Sequence, residues 1–238
     1  MAKKRDERHP YLKLAAEIRA QIMAGNLTPG TQLPSTRQLM EQYSVPNATV
    51  QNAVALLKEE GFLLGQAGKG VFVRERQNFV VDVAAYFAPS PRGYSYRMLD
   101  VRAVEPPSDV AQALGEDRAI LRHRLTLHDG DPVELTWSYY PASIAAGTPL
   151  AERGKILGGA PQALADLGYP QREFTDRVST RPPTTEEAEG LEIPEGISVI
   201  RQFRTITSDD ARPVEVSIII KAGHVYELKY RQAVVDGA

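Results

Sequence analysis

The fold of this chain is decided by three consecutive segments: Leu33-Pro-Ser-Thr-Arg-Gln-Leu39, Pro46-Asn-Ala-Thr-Val-Gln-Asn-Ala-Val-Ala-Leu-Leu-Lys-Glu-Glu-Gly61 and Gly68-Lys-Gly-Val-Phe-Val73. The first predicts a short helix, because Ser35 can cap it and Gln38, three residues later, completes a capping box. The second predicts a longer helix, and the third predicts two short strands joined by a glycine-rich turn. Helix, helix and hairpin in this order predict a helix-turn-helix with a β-wing.

An amphipathic helix is expected before these segments and is predicted to end near Gly25. Its apolar residues recur at helical spacing, as Tyr11, Leu14, Ala15, Ile18 and Ile22. The turn-forming residues Asn26 to Gly30 follow, so the predicted domain contains three helices and one hairpin.

The two faces of the helix predicted over Asn47 to Glu60 differ in an informative way. One face is an apolar stripe, formed by Val50, Ala53, Val54 and Leu57. The other is small or amide-bearing and carries no charge, with Asn47, Ala48, Gln51, Asn52 and Ala55. Small and amide side chains allow a helix to approach base edges, and Asn or Gln can pair bidentately with adenine. This pattern suggests DNA recognition, although a solvated, amide-rich face remains the alternative at this point.

The hairpin supports the same interpretation. Gly68 and Gly70 permit a tight turn, and Lys69 between them lies at its tip, where a phosphate of DNA would be. A Gly-Lys-Gly sequence also occurs in nucleotide-binding loops, but here no Ser or Thr follows the lysine and no helix is predicted after it.

Charge is distributed unevenly along the 238 residues, whose net charge is -2. Residues 1–76 carry 11 Lys and Arg against 7 Asp and Glu, whereas the remainder carries 17 against 23. A basic N-terminal segment followed by an acidic remainder fits a DNA-binding domain attached to a second domain.

The chain has no cysteine, which excludes a disulfide framework. It has no signal peptide or membrane-spanning stretch, so we expect a cytoplasmic protein without membrane association.

A dense, colinear set of residues matches one known family: Pro29-Gly30, Leu33-Pro34-Ser35, Arg37, Leu39, Val45, Thr49-Val50, Ala53, Leu56-Leu57, Gly61 and Gly68-Lys69-Gly70-Val71-Phe72-Val73. On these residues, 10–76 resembles the winged helix-turn-helix of the GntR family of bacterial transcription regulators. The resemblance implies that Arg37 reaches DNA, that Thr49 contacts phosphate, and that Gly68 and Lys69 lie in a wing entering the minor groove. The candidate DNA-binding residues are Ser35, Thr36, Arg37, Asn47, Ala48, Thr49, Gln51, Gly68, Lys69 and Gly70.

Two departures from the family pattern affect the recognition helix. Pro46 stands where the family usually has a capping Ser, so Asn47 either caps the helix or reads a base. Asn47 and Gln51 stand where the family often has Arg, which predicts a shift in base preference from guanine towards adenine.

The second half of the chain contains an alternating hairpin around His128-Asp-Gly-Asp131. A two-residue turn at Asp129-Gly130 would set Arg124 opposite Leu135, whereas a type I turn with a bulge at Gly130 would set it opposite Glu134. We expect the second register, because it gives one polar face. That face would contain Arg122, Arg124, Thr126, Glu134, Thr136 and Ser138, and the apolar face Leu121, Leu125, Leu127, Val133, Leu135 and Trp137.

A similar unit recurs from Arg204 to Glu215, followed by alternation of Val214, Val216, Ile218 and Ile220 with Glu215 and Ser217. Helices are predicted from Ser108, which can cap one that runs through Leu114, at Pro161–Leu167, and after a Thr184-x-x-Glu187 capping box. Hairpins interspersed with helices predict an α+β domain with an antiparallel sheet.

Several short motifs carry a second resemblance: Tyr96-Arg97, Arg122 and Arg124, Asp129-Gly130-Asp131-Pro132-Val133-Glu134, Tyr140-Pro141, and Arg212-Pro213-Val214-Glu215 with Ser217. This half resembles the UTRA effector-binding domain of the HutC subfamily of GntR regulators, whose fold is like that of chorismate lyase. The resemblance implies that Arg122 and Arg124 receive an anionic effector, such as a sugar phosphate or a carboxylate, and that Glu134, Glu215 and Ser217 bind its polar groups. An ordinary cross-strand ion pair between Arg124 and Glu134 is the alternative.

No catalytic, cofactor or metal motif is present, because the four histidines lack ligand spacing and no acid–base pair is evident. His123 is expected on the apolar face of its strand, as a core histidine with satisfied hydrogen bonds. We therefore expect a DNA-binding regulator rather than an enzyme, with a winged helix-turn-helix domain at 1–76, a linker at 77–95 and a UTRA-like domain at 96–238. A homodimer on an inverted repeat of double-stranded DNA is expected, most family members being repressors. The alternatives are a lyase-like enzyme fused to a DNA-binding domain and a regulator controlled by a protein partner.

Overall fold

The computed structural model describes residues 9–74, 79–82, 93–193 and 197–231. The chain divides into two compact units, Met1–Phe79 with Pro194–Ile197 and Val80–Ile193 with Ser198–Ala238. Residues 77, 78 and 83–92 of the predicted linker lie outside the described residues. The domain boundaries proposed from the sequence stay a prediction.

The first unit contains three helices and a hairpin: α1 (Pro10–Met23), α2 (Thr36–Tyr43), α3 (Asn47–Glu59), β1 (Leu63–Gln66) and β2 (Gly70–Val73). The capping box predicted at α2 is confirmed, since the Ser35 side chain accepts from the Gln38 amide and the Gln38 side chain accepts from the Ser35 amide. The helices and the hairpin share one core, formed by Leu14, Ala15, Ile18, Leu33, Leu39, Val50, Ala53, Leu57, Phe62, Leu63 and Val73.

The segment before α2 pairs with the hairpin through a β-bridge between Gln32 and Phe72. The Leu33 amide donates to the Val71 carbonyl at 2.8 Å, and the Val73 amide donates to the Thr31 carbonyl at 2.8 Å. β2 is thus held on both edges, by β1 and by residues 31–33.

The elements of the second unit are β4 (Tyr94–Val104), α4 (Ser108–Leu114), β5 (Ala119–His128), β6 (Asp131–Pro141), α5 (Ala142–Ala145), α6 (Gly159–Asp166), β7 (Glu173–Arg181), α7 (Thr185–Gly190), β8 (Val199–Thr207) and β9 (Pro213–Ala222). Their strands form a six-stranded antiparallel sheet in the order β4-β5-β6-β9-β8-β7. A separate two-stranded sheet joins β3 (Phe79–Asp82) to β10 (Tyr226–Lys229). The α+β class and the two predicted hairpins are confirmed.

The predicted register of the first hairpin was wrong, although its polar face was assigned correctly. Asp129 and Gly130 form a two-residue turn with φ of 51° and 97°, as a type I′ turn requires. Pairing shifts in β6 between Pro132 and Glu134, so Val133 is an extra residue and Arg124 lies opposite Thr136. Proline has no N–H to donate to a ladder, which favours a bulge at this point. Because the bulge restores the parity, the predicted polar residues still share one face.

The second hairpin repeats this device. Thr207 pairs with Pro213 and Ile206 with Glu215, so Val214 is the extra residue, as Val133 is in the first hairpin. The expectation that Val214 alternates on the side of Val216 was wrong, because the two valines belong to different hydrophobic clusters.

The Thr184–Glu187 capping box that opens α7 is confirmed.

The first helix of this unit does not begin as predicted. Pro107 occupies the N-cap of α4, Ser108 is the first helical residue, and no side chain caps the helix. Proline before the helix presets an extended backbone that needs no side-chain cap to begin the turn.

Helices and loops pack apolar residues against both faces of the large sheet. They cover one of these faces only at one end. On one face, α4 packs through Val110 and Leu114 against the cluster Leu121, Tyr139, Phe203 and Val216. On the other face, Ile144, Leu150 and Leu164 pack against one end of the sheet with Ile120, Tyr140, Ile206 and Val214. The rest of that second face carries mostly polar side chains, with Ile219 as a buried apolar residue among them.

We expect Gly223→Ala to lower the free energy of unfolding by about 1–3 kcal/mol, because a Cβ atom there would lie 2.5 Å from the Ser198 carbonyl oxygen. Gly154→Ala is the matched control, since a Cβ at that position meets nothing within 4 Å and should change stability by less than about 0.5 kcal/mol. Urea unfolding monitored by fluorescence of Trp137, the single tryptophan, reports on this unit. Equal effects of the two substitutions would contradict the predicted close approach.

Candidate nucleic-acid interface and effector site

The two faces of α3 are separated as the sequence predicts. Val50, Ala53 and Leu57 are buried, and Val54 is half-buried against the same core. The opposite face is exposed, with Asn47, Ala48, Gln51, Asn52 and Ala55. The only charged residues of this helix, Lys58 and Glu59, lie in its last turn. An uncharged, low-relief helix face is therefore open for contact.

The start of α3 resolves which residue takes the capping position. Pro46 is the N-cap, Asn47 is the first helical residue, and no side chain makes a capping hydrogen bond. The alternative in which Asn47 caps the helix is thus wrong, and its amide stands on the exposed face. Thr49 is half-buried one turn along.

Arg37 lies on the exposed side of α2, beside Ser35 and Thr36 at its start. Its Nε donates to Glu41 Oε1 at 3.0 Å, and 89% of its side chain is exposed. An exposed ion pair one helical turn apart contributes only about 0.3–0.5 kcal/mol. A phosphate would therefore displace Glu41 at little cost.

The turn of the wing has the geometry that its glycines predict. Gly68 and Gly70 have φ of 71° and 117°, values that side-chain-bearing residues rarely adopt. Lys69 is exposed at the tip. The ammonium group is thus carried at the end of a hairpin that projects from the helices.

In the second unit, the strand registers align polar side chains in a row across five strands. Arg122 pairs with Ser138, Ser138 with Ser217, Ser217 with Arg204, and Arg204 with Asp176. All five lie on the face that helices cover only at one end. Of the five effector-binding candidates that the sequence predicts, this row contains Arg122 and Ser217.

At one end of this row lies Arg122, whose guanidinium is hydrogen-bonded to the loop around residues 150–154. Its Nη1 donates to the carbonyls of Leu150 at 2.9 Å and Glu152 at 2.6 Å, and its Nη2 donates to Gly154 at 3.3 Å. Only 5% of the residue is exposed. In this structure Arg122 therefore anchors the loop that covers the sheet, which is a different task from receiving an anion.

Two rows further along the same face lies the carboxylate of Glu134, with a partner that sequence reasoning missed. Lys221 lies directly opposite Glu134 and its Nζ donates to Glu134 Oε2. Thr136 Oγ1 donates to Glu134 Oε1 at 2.9 Å. Burial raises the pKa of the Glu134 carboxyl, but Lys221, Arg124 and Thr136 together hold that pKa below its ordinary value. Glu134 is thus a charged acceptor inside the sheet. Lys221 lies opposite it across the β6–β9 ladder, whereas Arg124 lies opposite Thr136 and not, as the predicted register had it, opposite Glu134.

The second candidate carboxylate, Glu215, is almost completely buried and receives neutral donors. Ser217 Oγ donates to its Oε1 at 2.6 Å, and Gln171 Nε2 donates to its Oε2 at 3.1 Å. Ser217 also lies 2.7 Å from Ser138 across the strands. The structure thus brings Glu215 and Ser217 together, as the sequence suggested, and adds Gln171 from the loop before β7.

Arg204 is a second buried cation that was not among the predicted site residues. Its Nε and Nη2 donate to the two oxygens of Asp176 at 2.8 and 2.7 Å, and its guanidinium stacks 4.1 Å above the Phe174 ring. Gln202 also donates to Asp176, at 2.8 Å. The repeat of the two hairpins could have indicated this residue, because Arg204 occupies the position in the second hairpin that Arg124 occupies in the first. Arg204 lies opposite Ser217, as Arg124 lies opposite Thr136.

His123 lies on the apolar face, as expected, and stacks on Trp137 at 4.3 Å between ring centroids. Its Nε2 is buried and has no hydrogen-bond partner among the described residues. Burial lowers the pKa of this histidine to about 4. The expectation of a fully hydrogen-bonded core histidine was therefore wrong on that point.

Comparison with known families identifies both units. Residues 10–73 match the model of bacterial regulatory proteins of the gntR family, and residues 91–227 match the UTRA domain. The chain belongs to the GntR family. Its GntR/HutC-type architecture, a DNA-binding winged helix-turn-helix followed by a UTRA effector domain, is thereby confirmed.

Relatives over the full length are also transcription regulators by name. The chain is 29% identical to the HTH-type transcriptional regulator SCO4628 of Streptomyces coelicolor, covering 96% of this chain and 94% of that protein. It is 24% identical to the repressor NagR of Bacillus subtilis, covering 82% and 83%. These relatives indicate a regulator of transcription.

Solved structures support the fold. A GntR-family regulator superposes with a TM-score of 0.66 at 24% identity, covering 96% of this chain and 99% of the other. PhnF of Mycobacterium smegmatis superposes with a TM-score of 0.54 at 20% identity, covering 93% and 100%. Among the described residues, no helix has the length and hydropathy needed to cross a bilayer.

We expect the stability of this GntR-family regulator to fall between pH 7 and pH 5, partly because of His123. The unfolded chain binds a proton on this residue near pH 6.5, whereas the folded chain does so only near pH 4. The stabilisation is therefore complete above pH 6.5 and declines as the pH falls through this window. From pH 7 to pH 5 the loss is about 2 kcal/mol.

Urea unfolding at both pH values checks this, with His123→Phe as the variant that retains an aromatic ring on Trp137. The variant should lose less stability on acidification than the wild type. A pH dependence identical in both proteins would show that the histidine titrates normally.

Proposed function

We propose that this chain is a repressor that binds an inverted-repeat operator as a homodimer in the cytoplasm and is controlled by a small anionic effector in its second unit. The observation that carries the proposal is the coexistence, in one chain of the GntR family, of an exposed uncharged helix face with a buried, charged sheet face. The first suits base edges, and the second suits a polar ligand.

The DNA-binding surface consists of the exposed face of α3, the start of α2 and the wing. Asn47, Ala48 and Gln51 meet base edges in the major groove, while Ser35, Thr36 and Thr49 bind phosphates. Arg37 reaches the backbone from α2. Gly68, Lys69 and Gly70 bring the wing to the neighbouring groove.

Two copies of this surface are needed. One such module contacts only a few base pairs, and specificity increases when a two-fold symmetric dimer reads two half-sites. The repressor sense rests on relatives, since NagR and the Escherichia coli repressor MngR, 36% identical over 67 residues, both carry that description.

The effector site lies on the polar face of the sheet in the second unit. Arg124 receives the anionic group of a sugar phosphate or a carboxylate, because a guanidinium pairs bidentately with such groups. Glu134, Glu215 and Ser217 bind hydroxyl or amine groups. Arg122 contributes by fixing the covering loop. The DNA-binding domain comprises residues 1–76, the linker residues 77–95, and the effector-binding domain residues 96–238.

Release of DNA requires the effector to bind one arrangement of the dimer more tightly than the other. A ligand that joins groups from several strands of the sheet can supply this preference, because its contacts depend on how those strands are arranged.

The DNA-binding proposal predicts that DNase footprinting on the chain's own upstream region shows an inverted repeat. Arg37→Ala and Lys69→Ala should each weaken binding by about tenfold at low salt and reduce the salt slope by about 1, because each removes a phosphate contact. Lys155→Ala, an equal change of charge in the second unit, should leave binding unchanged. Selected sites should carry adenine opposite Asn47 and Gln51, and guanine fixed at both positions would contradict this assignment.

The effector proposal predicts thermal stabilisation of the full chain by one or more members of a panel of sugar phosphates and small carboxylates, without their consumption. Arg124→Met should abolish the shift, whereas Arg102→Met, at an exposed arginine on β4, should retain it. Consumption of a compound would favour an enzyme. Absence of any shift would favour control by a protein partner.

A further inference from the structure

The tip of the wing is held by a residue outside the hairpin. Gln32 Nε2 donates to the backbone carbonyl of Lys69 at 2.7 Å. The backbone of Gln32 also forms a bridge to Phe72, next to the Leu33–Val71 hydrogen bond. One side chain thus joins the segment before α2 to the turn that presents Lys69.

The glycine that follows Lys69 accommodates this contact. A Cβ atom at Gly70 would lie 2.7 Å from Gln32 Nε2, and its φ of 117° is open mainly to glycine. The sequence signal of a glycine-flanked lysine therefore has two causes, the sharp turn and the close approach of the Gln32 amide. Only the first cause was evident from the hairpin alone.

The bond also relates the wing to the other DNA-binding elements. Gln32 lies three residues before Ser35, the cap of α2, so the segment that begins this helix also fixes the wing tip. A hairpin with strands of four residues is only marginally ordered by itself. An unpinned tip would lose conformational entropy when it meets DNA, which weakens binding.

We propose that Gln32 is a positioning residue that orders the wing so that Lys69 meets the DNA phosphates. This inference rests on the proposed role of Lys69 in DNA binding. Gln32 acts through Lys69 and makes no necessary contact of its own with DNA.

The test is a double-mutant cycle with the full chain and a fluorescein-labelled duplex of mixed sequence, measured by anisotropy over a series of salt concentrations. Gln32→Met keeps the length of the side chain and removes the donor, and it is combined with Lys69→Ala. Gln112→Met, at an exposed glutamine of α4, controls for the substitution itself. Thermal unfolding checks that each variant is folded.

We expect Gln32→Met to lower the affinity by about threefold to tenfold and to reduce the salt slope, as Lys69→Ala does. The double variant should bind no more weakly than Lys69→Ala, because both changes remove the same contact. Amide hydrogen exchange at residues 66–70 of the free protein should be faster in Gln32→Met than in the wild type.

Each contrary outcome has a distinct meaning. Additive losses in the double variant, or a loss with an unchanged salt slope, would overturn the inference, because Gln32 would then contact DNA directly. An effect of Lys69→Ala without one of Gln32→Met would also overturn it while leaving the role of Lys69 intact. If Lys69→Ala alone has no effect, the proposed wing contact fails, and a wild type that binds no duplex refutes DNA binding as a whole.

Discussion

A single bulge in each long hairpin of the second unit determines which side chains meet inside the large sheet. The extra residues, Val133 and Val214, each follow a proline that cannot complete the ladder. Without them, a two-residue turn at Asp129-Gly130 would place Glu134 on the face opposite to Arg124. With them, arginines, serines and carboxylates from neighbouring strands share one side of the sheet. The candidate effector site exists because of this shift of one residue.

A buried polar face is costly unless its charged groups have partners. Here Arg204 is paired with Asp176, Lys221 with Glu134, and the Arg122 guanidinium is surrounded by backbone carbonyls. These arrangements leave little freedom for the side chains, so the face is already organised before any ligand arrives. A preorganised site loses less entropy on binding and discriminates better between ligands.

The first unit differs from the second in that the surface that contacts DNA must lie on its outside. Its apolar residues are collected into one core shared by the three helices and the wing, and the exposed side of α3 carries no charge before its last turn. The wing is held on both edges of β2, by β1 and by residues 31–33. Helix and wing are therefore positioned by the same core.

The sequence by itself determined the elements with local causes: the capping boxes at Ser35 and Thr184, the amphipathic stripe of α3, the glycine turn of the wing, and the division of the first hairpin into a polar and an apolar face. These follow from spacing and from the conformational preferences of single residues. Only the tertiary structure decided the hairpin register, the pairing of Lys221 with Glu134, the loop anchored by Arg122, and the bond from Gln32 to the wing. The physical reason is that these contacts join residues distant in the chain, where a bulge of one residue or a loop that folds back selects the partner and no local pattern encodes it.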